Sequence, residues 1–323
     1  MEFHPSPIYK REKRILSVNY SVPTFVKWAG GKTQLLPKIA DLLPGKFNRY
    51  FEPFLGSGAV FFYLEQKTSC PAFLSDANAE LIDTYEVVKR HPRELIRRLG
   101  ALKARHSKAQ FYRLRGKNPK MLDRIDAAAR FIYLNKTCYN GLYRVNSKGE
   151  FNVPLGSCAE PGIFNERDLL RASRLLQNAE LQCVSFEITE KCAKKGDFVY
   201  FDPPYHPLNG NGFTGYTRNG FAEEEQTKLK RVFEKLDKRG CKLMLSNSDT
   251  AFVRSLYDDF EIRTVKARRA INCKGEKRGE INELIVVNYE MPSYLPLYLA
   301  DETTEKMSLP AMMESSRPLN IKA

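Results

Sequence analysis

Asp202, Pro203, Pro204 and Tyr205 follow directly on Phe198, Val199, Tyr200 and Phe201, an uninterrupted apolar run in "GDFVYFDPPYHP". An acid at the carboxyl end of a buried strand projects into the crevice where open α/β sheets bind ligands. The two prolines have no amide hydrogen, so their carbonyls are acceptors in fixed directions with no backbone donor competing beside them. Such a corner recognises a donor. An exocyclic amine gives one hydrogen to the Asp202 carboxylate and one to the Pro203 carbonyl, which turns its nitrogen lone pair out of the ring plane, while Tyr205 presents a flat face for stacking. A chance turn of this composition is uncommon after an apolar strand.

Two further segments carry possible chemistry. In "FEPFLGSGAVFF" a strand ends at Glu52-Pro53-Phe54 and runs through Gly56 and Gly58 into an apolar helix start, which lets backbone amides approach a nucleotide-like ligand. The third glycine of a dinucleotide fingerprint is absent, since Phe61 takes its place. The next strand ends at Asp76, 18 residues past Gly58, where a carboxylate either accepts both hydroxyls of a ribose or caps the following helix. "FVKWAGGKTQLL" contains Gly-Lys-Thr, but a phosphate loop needs glycine at position 26, and Val26 stands there. The double glycine instead lets Trp28 and Lys32 face an anionic carboxylate; a plain loop with a core tryptophan is the alternative.

These residues need strands to hold them, and short apolar runs supply candidates at 49–54, 72–76, 181–186, 197–202, 242–247, 260–267 and 283–290. Helical patterns lie between them. The clearest, "AEEEQTKLKRVFEKLDKRG", opens with acids, puts Leu229, Val232, Phe233 and Leu236 on one stripe and closes on Lys238, Arg239 and Gly240. Alternation of strand and helix predicts an α/β fold with an open, mainly parallel sheet. Residues 89–179 break that rhythm: they are helix-rich, basic and aromatic, as an inserted domain would be. The expected division is an N-terminal extension over 1–22, a discontinuous catalytic domain over 23–88 and 180–290, the insertion over 89–179, and a flexible tail over 291–323 with four prolines and no sustained period.

Charge points to the partner. The chain of 323 residues carries 52 Lys and Arg against 38 Asp and Glu, a net +14. Between Lys89 and Glu150 there are 17 basic residues and four acids, and Arg263 to Arg278 holds seven basic residues and one acid. Clustering of this kind favours a polyanion such as nucleic acid over general solvation. No apolar run reaches the roughly 18 residues that a membrane span needs, and no signal-peptide stretch opens the chain, so a soluble, cytoplasmic protein is expected. Seven scattered cysteines form no CxxC pair and have no histidines at zinc spacing. They are expected to be reduced thiols, with neither a disulfide framework nor a metal.

The motifs "KWAGGK", "FEPFLGSGAVFF", "LSDAN", "LNKTCYNGLYRVNSKGEFNVPLG" and "FVYFDPPY", in this order over residues 24–290, resemble the Dam-type family (D12 class) of DNA adenine-N6 methyltransferases that use S-adenosylmethionine. The resemblance implies a Rossmann-like methyltransferase sheet with an inserted, mainly helical target-recognition domain carrying a β-hairpin. It implies that Trp28, Lys32, Asp76 and Asp202 contact S-adenosylmethionine, with Phe54, Gly56 and Gly58 shaping its loop. By the same carry-over Asp202, Pro203 and Tyr205 hold the target adenine and Pro204 completes the rigid turn. Tyr139, Asn140, Leu142 and Arg144 match base-contacting positions in double-stranded DNA, Lys27 and Pro154 are weaker matches of the same kind, and members with a hairpin like this one commonly modify GATC. The hairpin itself also reads locally, because Asn146 to Gly149 is rich in turn formers between 143–145 and 151–153. Arg144 has the forked donor geometry that suits a guanine edge.

The chemistry expected is an in-line methyl transfer without a metal, in which the protein positions a flipped base and supplies acceptors for charge developing on its nitrogen. Residues 206–221, with four glycines and three aromatics, suit a lid over that base, or an irregular surface loop. Cytosine N4, adenine in RNA and a protein glutamine are alternative substrates; a DNA-binding protein without activity and a nuclease are alternatives of another class. The basic insertion disfavours a protein substrate, the family's habit with Asp202 favours adenine, and the intact Asp202 to Tyr205 run disfavours loss of activity. A cognate restriction endonuclease acting on the same site is a partner that the resemblance allows.

Overall fold

A computed structural model describes residues 20–158, 160–208, 221–268 and 280–290. The tail, most of the N-terminal extension, most of the expected lid and the distal part of the second basic cluster lie outside these residues. Seven strands form one sheet: β1 (Tyr50–Glu52), β2 (Ala72–Ser75), β3 (Ala179–Gln182), β4 (Phe198–Phe201), β5 (Lys242–Ser248), β6 (Glu261–Arg268) and β7 (Glu280–Val287), in the order β3-β2-β1-β4-β5-β7-β6. The first five in that order are parallel, and β7 runs antiparallel to both β5 and β6. The fold is thus α/β with a mixed sheet.

Period-two alternation divides the strands between two cores. Tyr50, Phe198, Tyr200, Met244 and Ile285 face one buried cluster, and Phe51, Val199, Phe201, Leu243, Leu245, Leu284 and Val286 face the other. Helices cover both faces, which is why these strands read as continuous apolar runs. The α-helices among the described residues are α1 (Leu36–Leu42), α2 (Ala59–Thr68), α3 (Ala79–Arg90), α4 (Pro92–Ala104), α5 (Lys108–Arg115), α6 (Arg124–Thr137), α7 (Glu166–Leu175), α8 (Ile188–Cys192), α9 (Glu223–Lys238) and α10 (Ala251–Leu256). The stripe expected on α9 is buried against the second core. Among the described residues no helix is long and apolar enough to cross a membrane.

The edge strand β3 differs from its expected position. It pairs only with β2, Ala72 to Ala179 through Ser75 to Gln182, so it stops where β2 stops, and the apolar residues after Gln182 go to the cavity wall instead. Of the helices between β2 and β3, α4 and α6 pack on α3 and α5 packs on α6, and Leu95, Leu99, Phe111 and Ile132 belong to the same buried cluster as Tyr50, Val60 and Leu81. Arg130 of α6 is buried and spends its donors on Leu114 O, Arg115 O and Glu80 of α3. After α6 the chain makes a tight turn at Asn146, whose Oδ1 accepts from Lys148 N and Glu150 N. Its flanks meet in isolated antiparallel bridges, Val145 with Phe151 and Cys138 with Leu155, a hairpin turn with very short arms.

The strand order reverses between β1 and β4. From β1 the chain steps outward to β2 and β3, then returns to the other side of β1 at β4. The crevice at the carboxyl ends of those two strands is where doubly wound sheets bind ligands. Glu52 ends β1 and Phe201 ends β4, so the glycine loop and the acid-proline turn both open into it.

Candidate active site

The floor is the loop from β1 to α2. Gly56 and Gly58 have φ of 48° and 66°, and a Cβ would lie 2.7 Å from Trp28 Cδ1 at the first and 2.9 Å from Tyr85 Oη at the second. Both conformation and space therefore demand glycine. Tyr85 O–H donates to Gly56 O at 3.0 Å. At the end of β2, Asp76 accepts the amides of Gly56 (3.1 Å) and Asn78 (2.9 Å), while Asn78, not Asp76, caps α3 by accepting from Leu81 N. The surrounding wall withholds water from the Asp76 carboxyl and pushes it up to about 6, against the pull of those amides.

The opposite wall is the turn after β4. Asp202 Oδ1 pairs with Lys32 Nζ at 2.6 Å; Lys32 also donates to Gly30 O at 2.6 Å and lies 4.7 Å over the Tyr205 ring. Tyr205 O–H donates to Glu283 of β7 at 2.7 Å. Burial pushes the Asp202 carboxyl up to about 6, Lys32 pulls it down, and the charge of Glu283 adds to the rise. A third acid, Glu52, is buried between floor and wall. It accepts from Tyr50 O–H (2.7 Å) and Phe61 N (3.1 Å), yet desolvation pushes it to about 8, with the neighbouring Asp202 charge contributing.

These surfaces enclose a cavity of about 750 Å³ lined by Trp28, Lys32, Glu52, Phe54, Gly56, Asp76, Asp202, Pro203, Pro204 and Tyr205 among others. Every residue expected at the ligand loop and the acid-proline corner is there except Gly58, which starts α2 beneath the floor. The carboxylate that Lys32 faces belongs to the protein itself. Phe54 stacks on Phe186 (5.4 Å between centroids) and meets the edge of Phe221 (5.6 Å), so an aromatic side closes the cavity.

Lys27, Tyr139, Asn140, Leu142, Arg144 and Pro154 form a second group. Asn135 holds it together: its amide nitrogen donates to Lys27 O (2.7 Å) and Gly141 O (3.2 Å), and its oxygen accepts Lys27 N (2.6 Å). Tyr139 N donates to Pro154 O at 2.9 Å, and Arg144 Nε to Asn152 Oδ1 at 2.7 Å. Lys27, Tyr139, Asn140, Arg144 and Pro154 are exposed and Leu142 is half-buried. The Trp28 ring, stacked on Tyr143 at 5.7 Å and 25°, links the two groups. Sequence reasoning missed Tyr143, Glu52, Gln226, Asn247 and Glu283. The available signal was polarity at the ends of apolar strand runs: Glu52 and Asn247 follow such runs and Glu283 precedes one.

The doubly wound α/β sheet thus carries a ligand-sized cavity at its switch point, walled on one side by a turn rich in hydrogen-bond acceptors. The family model of the D12 class N6 adenine-specific DNA methyltransferases matches residues 28–271, and the chain belongs to that family. It is 47% identical over 287 residues to the type II methyltransferase M.MjaIII of Methanocaldococcus jannaschii, covering 83% of this chain and 99% of that one. It is 43% identical over 273 residues to the type II methyltransferase M1.LlaDCHI of Lactococcus lactis subsp. cremoris (82% and 95% covered). The DNA adenine methylase of Escherichia coli K12 is 36% identical over 266 residues (81% and 94% covered). The chain is a DNA adenine methyltransferase.

Proposed function

We propose that this enzyme transfers the methyl group of S-adenosylmethionine to N6 of an adenine flipped out of duplex DNA, within GATC. The observation that carries the assignment is the convergence of Asp202, Pro203 and Tyr205 with Lys32 and Asp76 on one cavity at the switch point. The residues present fit S-adenosylmethionine. The cavity volume is within the range of about 300–1,000 Å³ usual for cofactor sites, Asp76 presents a carboxylate at the end of the second strand, and Phe54, Phe186 and Phe221 supply an apolar side. When bound, S-adenosylmethionine provides an electrophilic methyl on sulfonium sulfur.

The chain's own residues do the rest. Asp202 and the Pro203 carbonyl accept the two N–H groups of the adenine amine, and both contacts strengthen as nitrogen becomes positive in the transition state. Lys32 favours the ionised form of Asp202, in which the carboxylate accepts. The Tyr205 ring, fixed at its hydroxyl by Glu283, stacks on the base and offsets part of the few kcal/mol that flipping costs. Lys27, Tyr139, Asn140, Leu142, Arg144 and Pro154 contact bases, with Arg144 on a guanine edge, while other lysines and arginines of the insertion hold phosphates. Residues 89–179 act as a target-recognition domain. Since two relatives are named type II methyltransferases, the enzyme is assigned, in the cytoplasm, to protecting sites that a partner restriction endonuclease cuts.

Transfer from radiolabelled S-adenosylmethionine to duplex oligonucleotides, with GATC intact or altered at each position, tests the assignment. Asp202→Ala is expected to abolish transfer and largely spare duplex affinity. A variant that still methylates overturns the role of Asp202, and equal transfer to all duplexes overturns GATC.

A further inference from the structure

Pro203 and Pro204 have no amide hydrogen with which to tie down this stretch of the turn after β4, so groups outside it hold the backbone there. Two side chains with no exposed surface stand behind it, Gln226 in the first turn of α9 and Asn247 near the end of β5. Gln226 Nε2 donates to Pro204 O at 3.0 Å, and Asn247 Nδ2 donates to Gln226 Oε1 at 3.0 Å. Asn247 Oδ1 accepts from His206 N at 3.1 Å, and the neighbouring Ser248 hydroxyl donates to His206 O at 2.5 Å. The backbone from Pro204 to His206 is thereby held at a carbonyl, an amide and a second carbonyl. Among the described residues none donates to the Pro203 carbonyl, which is the acceptor assigned to the base.

We propose that Gln226 and Asn247 are positioning residues for methyl transfer: a buried amide relay that grips the Pro204 and His206 backbone and so aims the Pro203 carbonyl and the Asp202 carboxylate at the adenine amine. The relay rests on the function proposed above. Each amide donates in one direction and accepts in the other, so neither can be replaced by a carboxylate without losing a donor. Anchoring from α9 and β5 makes the turn part of the sheet's rigid frame rather than of a loop.

Gln226→Leu, Gln226→Glu and Asn247→Asp test it, with transfer kinetics on the full-length protein and a duplex substrate. A displaced acceptor acts on the transition state, so kcat is expected to fall on the order of 100-fold in Gln226→Leu, with the KM for S-adenosylmethionine and the duplex affinity little changed. In Gln226→Glu only the protonated carboxyl donates to Pro204, so the ratio of variant to wild-type kcat is expected to rise as pH falls; a purely space-filling role gives a flat ratio. Asn247→Asp removes the donor to Gln226 while keeping the acceptor for His206, and is expected to lose kcat in the same way. If Gln226→Leu does not fold, the two isosteric variants decide. Wild-type kcat or a flat pH ratio in the folded variants, beside an inactive Asp202→Ala, overturns the relay and leaves the proposed function standing. Transfer that survives Asp202→Ala overturns the function and the relay with it.

Discussion

Two carboxyls, the buried Glu52 and the half-buried Asp202, face one another's charge at the acid-proline corner, and their protonation sets what the corner can do. In the role proposed for it Asp202 accepts more strongly from the base when ionised, and its carboxyl is pushed up to about 6, so kcat/KM is expected to rise with pH through that value. Lys32 is the main pull downward on Asp202; Lys32→Met is therefore expected to move the acid limb to higher pH, visible in pH–rate profiles of the two proteins. Glu52 is different: at about 8 it is largely neutral at pH 7 and does not add a second negative charge beside Asp202. A folded value above the unfolded one means that the stability Glu52 contributes is complete below the ordinary carboxyl range and is lost as pH rises through about 8. Glu52→Gln keeps acceptors for Tyr50 and Phe61 and removes the ionisation. The variant is expected to gain on the order of 1–3 kcal/mol relative to wild type between pH 5 and 9, measured by denaturant unfolding at both pH values; an unchanged difference rejects this role for Glu52. The acid-proline corner was legible because prolines after an apolar strand are a local pattern. Gln226 and Asn247 were not, because their partners are distant in sequence: Gln226 meets Pro204 22 residues away and Asn247 meets His206 41 residues away.

Elements meet where Trp28 packs between the glycine loop and the hairpin turn. Its indole blocks any Cβ at Gly56 and stacks on Tyr143, and the Tyr143 hydroxyl donates to Glu80 of α3 at 3.2 Å. Arg130 of α6 closes the same group by pairing with Glu80. The segment carrying the base-contact candidates and the loop flooring the cavity thus share one aromatic wall. Tyr143→Ala removes a buried ring and is expected to destabilise the fold by about 3–5 kcal/mol and to weaken S-adenosylmethionine binding through a displaced Trp28. Tyr143→Phe keeps the stack, so its ligand affinity is expected to stay within about twofold of wild type, read by titration calorimetry alongside a thermal melt. Equal loss in both variants assigns the effect to the hydroxyl instead. Periodicity predicted most strands and the helix α9 well, since a 3.6-residue stripe and a single buried face are the same fact. It could not place β3, whose bounds are set by the length of β2, nor reveal that the hairpin arms pair at one bridge each.

Across the whole molecule, the order of the strands was the part that pattern alone could not supply. Alternation of strand and helix implied a parallel sheet, but nothing local marks that β4 returns to the far side of β1 or that β7 inserts antiparallel between β5 and β6. That return is what brings Glu52, Asp76 and Asp202 from three separate strands to one crevice. Charge follows a different logic: it is legible in sequence because it depends on composition rather than contacts, and here it is concentrated between Lys89 and Glu150. The two binding events are consequently expected to respond differently to salt. Each phosphate neutralised by lysine or arginine releases counterions, so if the duplex engages about 6–10 phosphates its affinity is expected to drop by roughly 10³–10⁵ between 50 and 200 mM salt. S-adenosylmethionine in its proposed site, where Lys32 and Asp202 are already paired and largely sheltered from solvent, is expected to lose little, because buried charges are screened far less than exposed ones. Fluorescence anisotropy of a labelled duplex and calorimetry of the cosubstrate across the same salt series measure both slopes. A shallow duplex slope means that the 17 basic residues between Lys89 and Glu150 serve solvation rather than phosphate contact. A steep cosubstrate slope means that the corner is open to ions, and the raised Asp202 value then has no sheltered environment to explain it.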